Sequence, residues 1–198
     1  MGTSQAKTPS DERVEPTIRP GDRISAYTVE RMVGTGGMGW VYRASHALES
    51  RVVALKVLRE DQLGLDRAVD RMMREASILA SVSHAGIPRF YECGLLDDGR
   101  PWIAMELIEG YPLQSEIAKG PVPPDVVLSF LGGVADVLGA AHARGVTHRD
   151  LKPDNIFITP GDGLHPVRVI DWGIAHHLAG ARYTNTNEAI GTPTYMAP

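Results

Sequence analysis

His148-Arg149-Asp150-Leu151-Lys152-Pro153-Asp154-Asn155 gathers carboxylates, two cations, a proline and an asparagine amide into eight residues. Asp150 can accept a proton from an attacking hydroxyl. Lys152, two residues on, can neutralise a phosphate on the other reactant, and Asn155 can offer an amide oxygen to a magnesium ion. Pro153 stops the stretch from becoming helix and holds the residue before it extended. A lone His-Arg-Asp triplet would fit a charged surface turn equally well, so the rest of the chain has to decide.

Three further stretches carry chemistry. Gly34-Thr35-Gly36-Gly37-Met38-Gly39 lets the backbone turn tightly and bring N–H groups close to phosphate oxygens. Dinucleotide-binding folds use the same letters, but there the turn opens a helix. Here Trp40 to Ala44 reads as a strand, and no Gly-Lys-Ser/Thr ending follows. Second, Val52 to Leu58 is an apolar strand with one lysine, Lys56, which is costly unless its charge is paired. The next helix, expected from Asp66 to Ala80, puts Met72, Glu75, Ala76 and Leu79 on one face. An ion pair between Lys56 and Glu75 resolves both anomalies. Third, Asp171-Trp172-Gly173 follows two short expected strands, Ile156 to Thr159 and Val167 to Ile170. An Asp-x-Gly turn is usually structural when it stands alone.

Taken in order, these stretches resemble the glycine flap, strand lysine, catalytic loop and Asp-Phe-Gly segment of protein kinases, with Trp172 in place of phenylalanine. The resemblance is to bacterial-type serine/threonine kinases and runs from about Tyr27 to Pro198. It implies an α+β, two-lobed fold: a small antiparallel sheet with one helix, hinged to a mainly helical lobe. It also implies ATP and Mg²⁺ as cofactors and Ser/Thr hydroxyls of proteins as acceptors. Lys152 favours that acceptor class over tyrosine.

By the same resemblance, Asp150, Lys152, Lys56 and Glu75 are the catalytic set, and Asn155 and Asp171 hold the metal. Val33, Gly34, Gly36, Gly37, Gly39, Val41, Ala54, Lys56 and Phe157 contact the nucleotide. The hinge adds the Glu106 carbonyl and the Ile108 N–H, with Met105 at the back of the pocket. Trp172 is expected to stack with Leu79, Phe90 and His148. Thr184 and Thr186 are candidate autophosphorylation sites that would pair with Arg149, and Thr192 a structural hydroxyl near Asp150. A nucleotide-binding scaffold without transfer and an incomplete kinase domain are the competing readings.

The elements that position these residues are partly legible. Residues 1–26 are polar and contain Pro9, Pro16 and Pro20, so a disordered tail is expected, with folded structure starting near Tyr27. Residues 27–107 form the expected first lobe and 108–198 a partial second lobe ending in the activation segment, where everything after Asp171 reads as loop. Ile87 to Leu96 and Pro101 to Met105 read as a hairpin around Asp97-Asp98-Gly99-Arg100. Pro123-Pro124-Asp125 opens a helix that Gly145 ends. Its apolar arc, from Val126 through Leu128, Leu131, Val134 and Val137 to Ala141, is too wide for one partner. Gly132 and Gly139 beside it would admit another helix closely. Residues 1–198 alone are therefore expected to be aggregation-prone or only partly folded, with little transferase activity.

Composition narrows the remainder. The 198 residues carry a formal net charge of −4, which gives no support for a nucleic-acid partner. There is no signal-peptide core, and MGTSQA has alanine where a myristoylation signal needs Ser or Thr. Val126 to Ala143 is short for a membrane span and reads as a buried helix. One cysteine, Cys93, fits a reducing cytoplasm, the expected location. The seven histidines are scattered; the adjacent His176 and His177 lack further ligands at metal-site spacing and read as a solvated pair.

Overall fold

Strand β4 (Val52–Leu58) lies inside a six-stranded antiparallel sheet because its residues are apolar almost throughout. In this computed structural model the described residues are 15–36, 38–65, 67–159, 165–172, 176–177 and 193–195. The sheet order is β1-β2-β3-β4-β6-β5, from β1 (Arg23–Ile24), β2 (Tyr27–Thr35), β3 (Gly39–His46), β5 (Phe90–Leu95) and β6 (Pro101–Glu106). Tyr27, Tyr42, Val53, Leu55, Val57 and Trp102 fill one face. Helix α1 (Ala68–Ser81) covers the other with Met72, Ala76 and Leu58 beneath it. The expected helical face is buried as the three- and four-residue spacing required.

Two boundaries differ from expectation. Residues 15–26 are not a tail: β1 pairs with β2, and Ile18 and Ile24 pack into the sheet core. Two isoleucines among polar neighbours supply the burial that average composition hides. Strand β5 starts at Phe90 and not at Ile87, since Pro88 has no N–H to give a ladder. The hairpin turn closes with Gly99 at φ 84°.

After β6 the chain leaves the sheet through residues 107–110 to β7 (Tyr111–Pro112), α2 (Leu113–Ile117) and α3 (Pro124–His142). Strands β9 (Ile156–Ile158) and β10 (Val167–Val169) form a small sheet with β7. Strand β8 (Val146–Thr147) pairs with β11 (His176–His177), so the segment after Asp171 is not wholly loop. Gly145, at φ 72°, turns the chain out of the third helix as expected.

The third helix is less covered than its arc suggested. Gly133, Val134, Val137 and Ala141 are buried, whereas Leu128 and Leu131 are 69% and 58% exposed. Gly132 and Gly139 face open space, and Gly133 is the glycine that packs, against Val167. Among the described residues α3 is the one helix long and apolar enough to cross a membrane. Its narrow buried stripe packs against Ile78, Val146 and Val169.

Candidate active site

The glycine stretch folds as a strand–turn–strand. Gly34 pairs with Val41 and Thr35 with Trp40, and the Gly36 N–H donates to the Gly39 carbonyl at 2.8 Å. Gly39 itself does not line the cleft below: a Cβ there would meet the Val57 carbonyl oxygen at 2.8 Å. Its glycine is required for β3 to pack on β4. Gly37 lies outside the described residues.

Register on β4 places Lys56 opposite Val41 and Ile103, with its side chain beneath the glycine turn. The Lys56 Nζ donates to both Glu75 carboxylate oxygens, at 2.9 and 2.7 Å, and to Asp171 Oδ1 at 2.6 Å. Lys56 and Glu75 are only 4% and 1% exposed. Burial works against the Lys56 ammonium, but Glu75 and then Asp171 outweigh it, and its pKa is raised. Burial pushes the Glu75 carboxyl up, against the pull of Lys56. The pair thus stays bridged through a charged ammonium. Lys56 chiefly, together with His148 and Lys152, holds Asp171 below the usual carboxylate range against desolvation.

The loop from His148 to Asn155 is tied to the Asp171 segment by backbone and side chain. The His148 Nε2 bonds the Ile170 carbonyl at 2.9 Å, and the Asp150 N–H donates to His148 Nδ1 at 3.3 Å. The Asn155 Nδ2 donates to the Asp150 carbonyl at 2.8 Å, so its oxygen is the atom it can present to a cation. The Ile170 N–H donates to the Asn155 carbonyl at 2.9 Å. The Asp150 carboxylate lies 3.2 Å from Lys152 Nζ. Arg149 and Asp171 both have positive φ, 66° and 61°, a costly conformation that clusters where function fixes the backbone.

Trp172 is fully buried, as expected of its slot. Its ring lies 4.6 Å from that of His148, and Leu79 and Phe90 belong to the same cluster. The indole N–H, which phenylalanine lacks, donates to the Val169 carbonyl at 3.0 Å.

Burial lowers the pKa of His148, so the ring stays neutral in the folded chain. The unfolded chain takes up a proton there below about pH 6.5, and stability should fall as pH drops through that value. Chemical denaturation between pH 5 and 8 would read this, and His148→Asn should flatten that limb.

These groups border one cleft of about 740 Å³, within the range of small-molecule sites. Val33, Gly34, Gly36, Val41, Ala54, Lys56 and Glu75 line it from the sheet and α1. Glu106 at the end of β6 and Ile108 in the linker line it, and Lys152, Asn155, Phe157 and Asp171 line it from the second lobe. Asp150 sits beside it through Lys152. Ile170, Leu107 and Arg31 also line the cleft and were not singled out by sequence. Ile170 and Leu107 adjoin Asp171 and the linker residues but carry plain aliphatic side chains, and Arg31, two residues before Val33, reads in sequence as an ordinary strand cation.

The Glu106 side chain has a role invisible in sequence: it accepts from the Arg89 N–H at 3.0 Å and pairs with buried Arg168 on β10. That contact ties the linker to the second lobe. Thr184, Thr186 and Thr192 lie outside the described residues.

A family model described as the protein kinase domain matches residues 27–198. The chain belongs to the protein kinase family. This kinase chain is 38% identical over 201 residues to serine/threonine-protein kinase Pkn1 of Myxococcus xanthus, covering 100% of this chain and 28% of the relative. It is 37% identical over 180 residues to PrkC of Bacillus subtilis, covering 90% and 27%. The crystal structure of the Mycobacterium tuberculosis PknI kinase domain superposes with a TM-score of 0.69 at 34% identity, covering 80% of this chain and 64% of that one. The kinase chain therefore spans under a third of the length of these curated relatives.

The residues fit the cofactors this family generally uses. Asp171 and Asn155 offer hard oxygen donors suited to Mg²⁺, and the glycine turn offers backbone N–H groups suited to phosphates.

Proposed function

We propose that this chain supplies the nucleotide site and catalytic loop of a serine/threonine protein kinase that transfers the γ-phosphoryl group of ATP to protein hydroxyls. The observation that carries this reading is the meeting of Lys56, Glu75 and Asp171 at one end of a cleft that Asn155 and Lys152 also line.

Val33, Val41 and Ala54 on the sheet side and Phe157 opposite would hold the adenine, with Glu106 and Ile108 presenting backbone groups to it. Lys56 would hold the α- and β-phosphates, kept in place by Glu75. Asp171 and Asn155 would hold Mg²⁺, which when bound neutralises phosphate charge. Asp150 would orient the acceptor hydroxyl and take its proton as the oxygen–phosphorus bond forms, while Lys152 steadies the γ-phosphate and ADP departs. Catalysis on this reading is positioning and charge neutralisation. The lone cysteine and the dependence on ATP support a cytoplasmic setting.

Incubation with labelled ATP, Mg²⁺ and a basic protein substrate tests this directly. Transfer to serine or threonine is expected of a protein that contains this chain within a complete kinase domain. Nucleotide binding without transfer would replace the enzyme with a scaffold, and neither would mean an incomplete domain.

Thr184 and Thr186 are further proposed as autophosphorylation sites. A phosphate there adds close to two negative charges, and exposed Arg149 next to Asp150 is the cation proposed to meet it. Mass spectrometry of active protein should find one or both modified; two bare threonines would refute the assignment.

A further inference from the structure

Three side chains from distant parts of the chain meet at a second place. His84 lies in the loop between α1 and β5, Asp136 in the middle of α3, and His165 just ahead of β10. The Asp136 Oδ2 is 3.1 Å from His84 Nε2 and 3.3 Å from His165 Nε2, and all three donor atoms lie within 4.8 Å of one another. None of the three lines the nucleotide cleft. Metal–ligand bonds of about 2.0–2.2 Å in a tetrahedron put ligand atoms about 3.3–3.6 Å apart. The two separations to Asp136 are close to that spacing before any ion draws the groups together.

The His165 ring is fixed from its far side by Val167. Its Nδ1 is 2.6 Å from the Val167 carbonyl oxygen and 3.3 Å from the Val167 nitrogen, and the shorter contact favours the tautomer with the ring proton on Nδ1. In the neutral ring Nε2 is then a bare lone pair, facing a carboxylate oxygen. A metal ion between the two would be held by both. An imidazole oriented by a backbone carbonyl on its far nitrogen is also how protein metal ligands are commonly held.

The surroundings are shaped for the rings. A Cβ on Gly86 would overlap Val137 and crowd both imidazoles, and a Cβ on Gly133 would press on Val167, Pro166 and His165. The side chains of His84 and His165 are 18% and 10% exposed and that of Asp136 64%, so an ion held here would be reached from solvent through Asp136.

We propose that His84, Asp136 and His165 form a binding site for a divalent transition ion, zinc by its donor set, separate from the nucleotide cleft. Two imidazoles and one carboxylate suit zinc and leave a fourth position for water. Mg²⁺, which prefers all-oxygen surroundings, is a poor occupant. His84 must change tautomer to bind. Its Nδ1 now accepts from the Gly86 N–H at 3.0 Å, so its proton is on Nε2 and moves to Nδ1 when Nε2 takes the ion. Losing that hydrogen bond weakens the site relative to closed four-ligand zinc centres. The bound ion ties the loop that follows α1, the helix of Glu75, to α3 and β10.

The test uses chelator-treated purified protein titrated with Co²⁺ and then Zn²⁺. Expected are visible absorption bands at one equivalent of Co²⁺, their loss on adding Zn²⁺, their persistence in excess Mg²⁺, and a rise in Tm with Zn²⁺. Asp136→Asn, an exposed and nearly isosteric change, should weaken binding at least about tenfold and leave the metal-free Tm unaltered; His165→Ala should weaken it as much. Asp171→Asn should bind Zn²⁺ as the unsubstituted protein does, which separates this site from the nucleotide reading. Absence of binding would overturn the proposal. So would binding that Asp136→Asn and His165→Ala both leave intact.

Discussion

Asp150→Asn should keep nucleotide affinity near that of the unsubstituted kinase while lowering turnover by about 10²–10⁴-fold, the usual contribution of a positioned base. The change is almost isosteric, and the backbone contacts at this residue persist. Its N–H still donates to His148 and its carbonyl still accepts from Asn155. The side chain loses its charge and its ability to take the hydroxyl proton, so kcat falls with little change in nucleotide binding. Steady-state transfer kinetics beside fluorescent-nucleotide titration would measure the two separately. Near-normal turnover in this variant would remove Asp150 from the base role.

Lys56→Met should damage both stability and transfer. It removes the ammonium that three carboxylate oxygens share and leaves Glu75 and Asp171 facing one another with no cation between them. Breaking a buried pair from one side costs about 3–5 kcal/mol, a large share of the roughly 5–15 kcal/mol that holds a domain folded. Adding Glu75→Gln to Lys56→Met should recover part of that stability, since it removes the buried unpaired charge. It should recover none of the transfer, since no cation returns to the phosphates. Chemical denaturation of the two variants beside the same transfer assay checks this. Equal stability of the single and double variants would mean that Glu75 is not held by Lys56.

The two sets of groups invoked here were legible to different degrees. The stretch from His148 to Asn155 and the glycine turn could be read directly, because their chemistry requires neighbours in sequence. Lys56 and Glu75 could be paired without coordinates because each was anomalous where it stood, a charge on an apolar strand and an acid on an apolar helix face. That Asp171, 115 residues from Lys56, shares the same ammonium could not be read that way. An aspartate before an aromatic residue and a glycine carries no sign of which cation it faces.

Sequence by itself determined the longer strands and the two long helices, the family, and the residue types available for chemistry. Periodicity, turn residues and contiguous motifs are local properties, and the chain carries them before it folds. Tertiary structure alone decided which of the other distant groups meet. It brought Ile18 and Ile24 into the sheet core, joined the Glu106 side chain to Arg168, and assigned Gly39 to packing against Val57. It also set His84 and His165 on either side of Asp136, 52 and 29 residues away along the chain. Each of these depends on the path of the backbone between the partners. Burial and charge pairing act through space, and a scattered histidine in the sequence gives no measure of that distance.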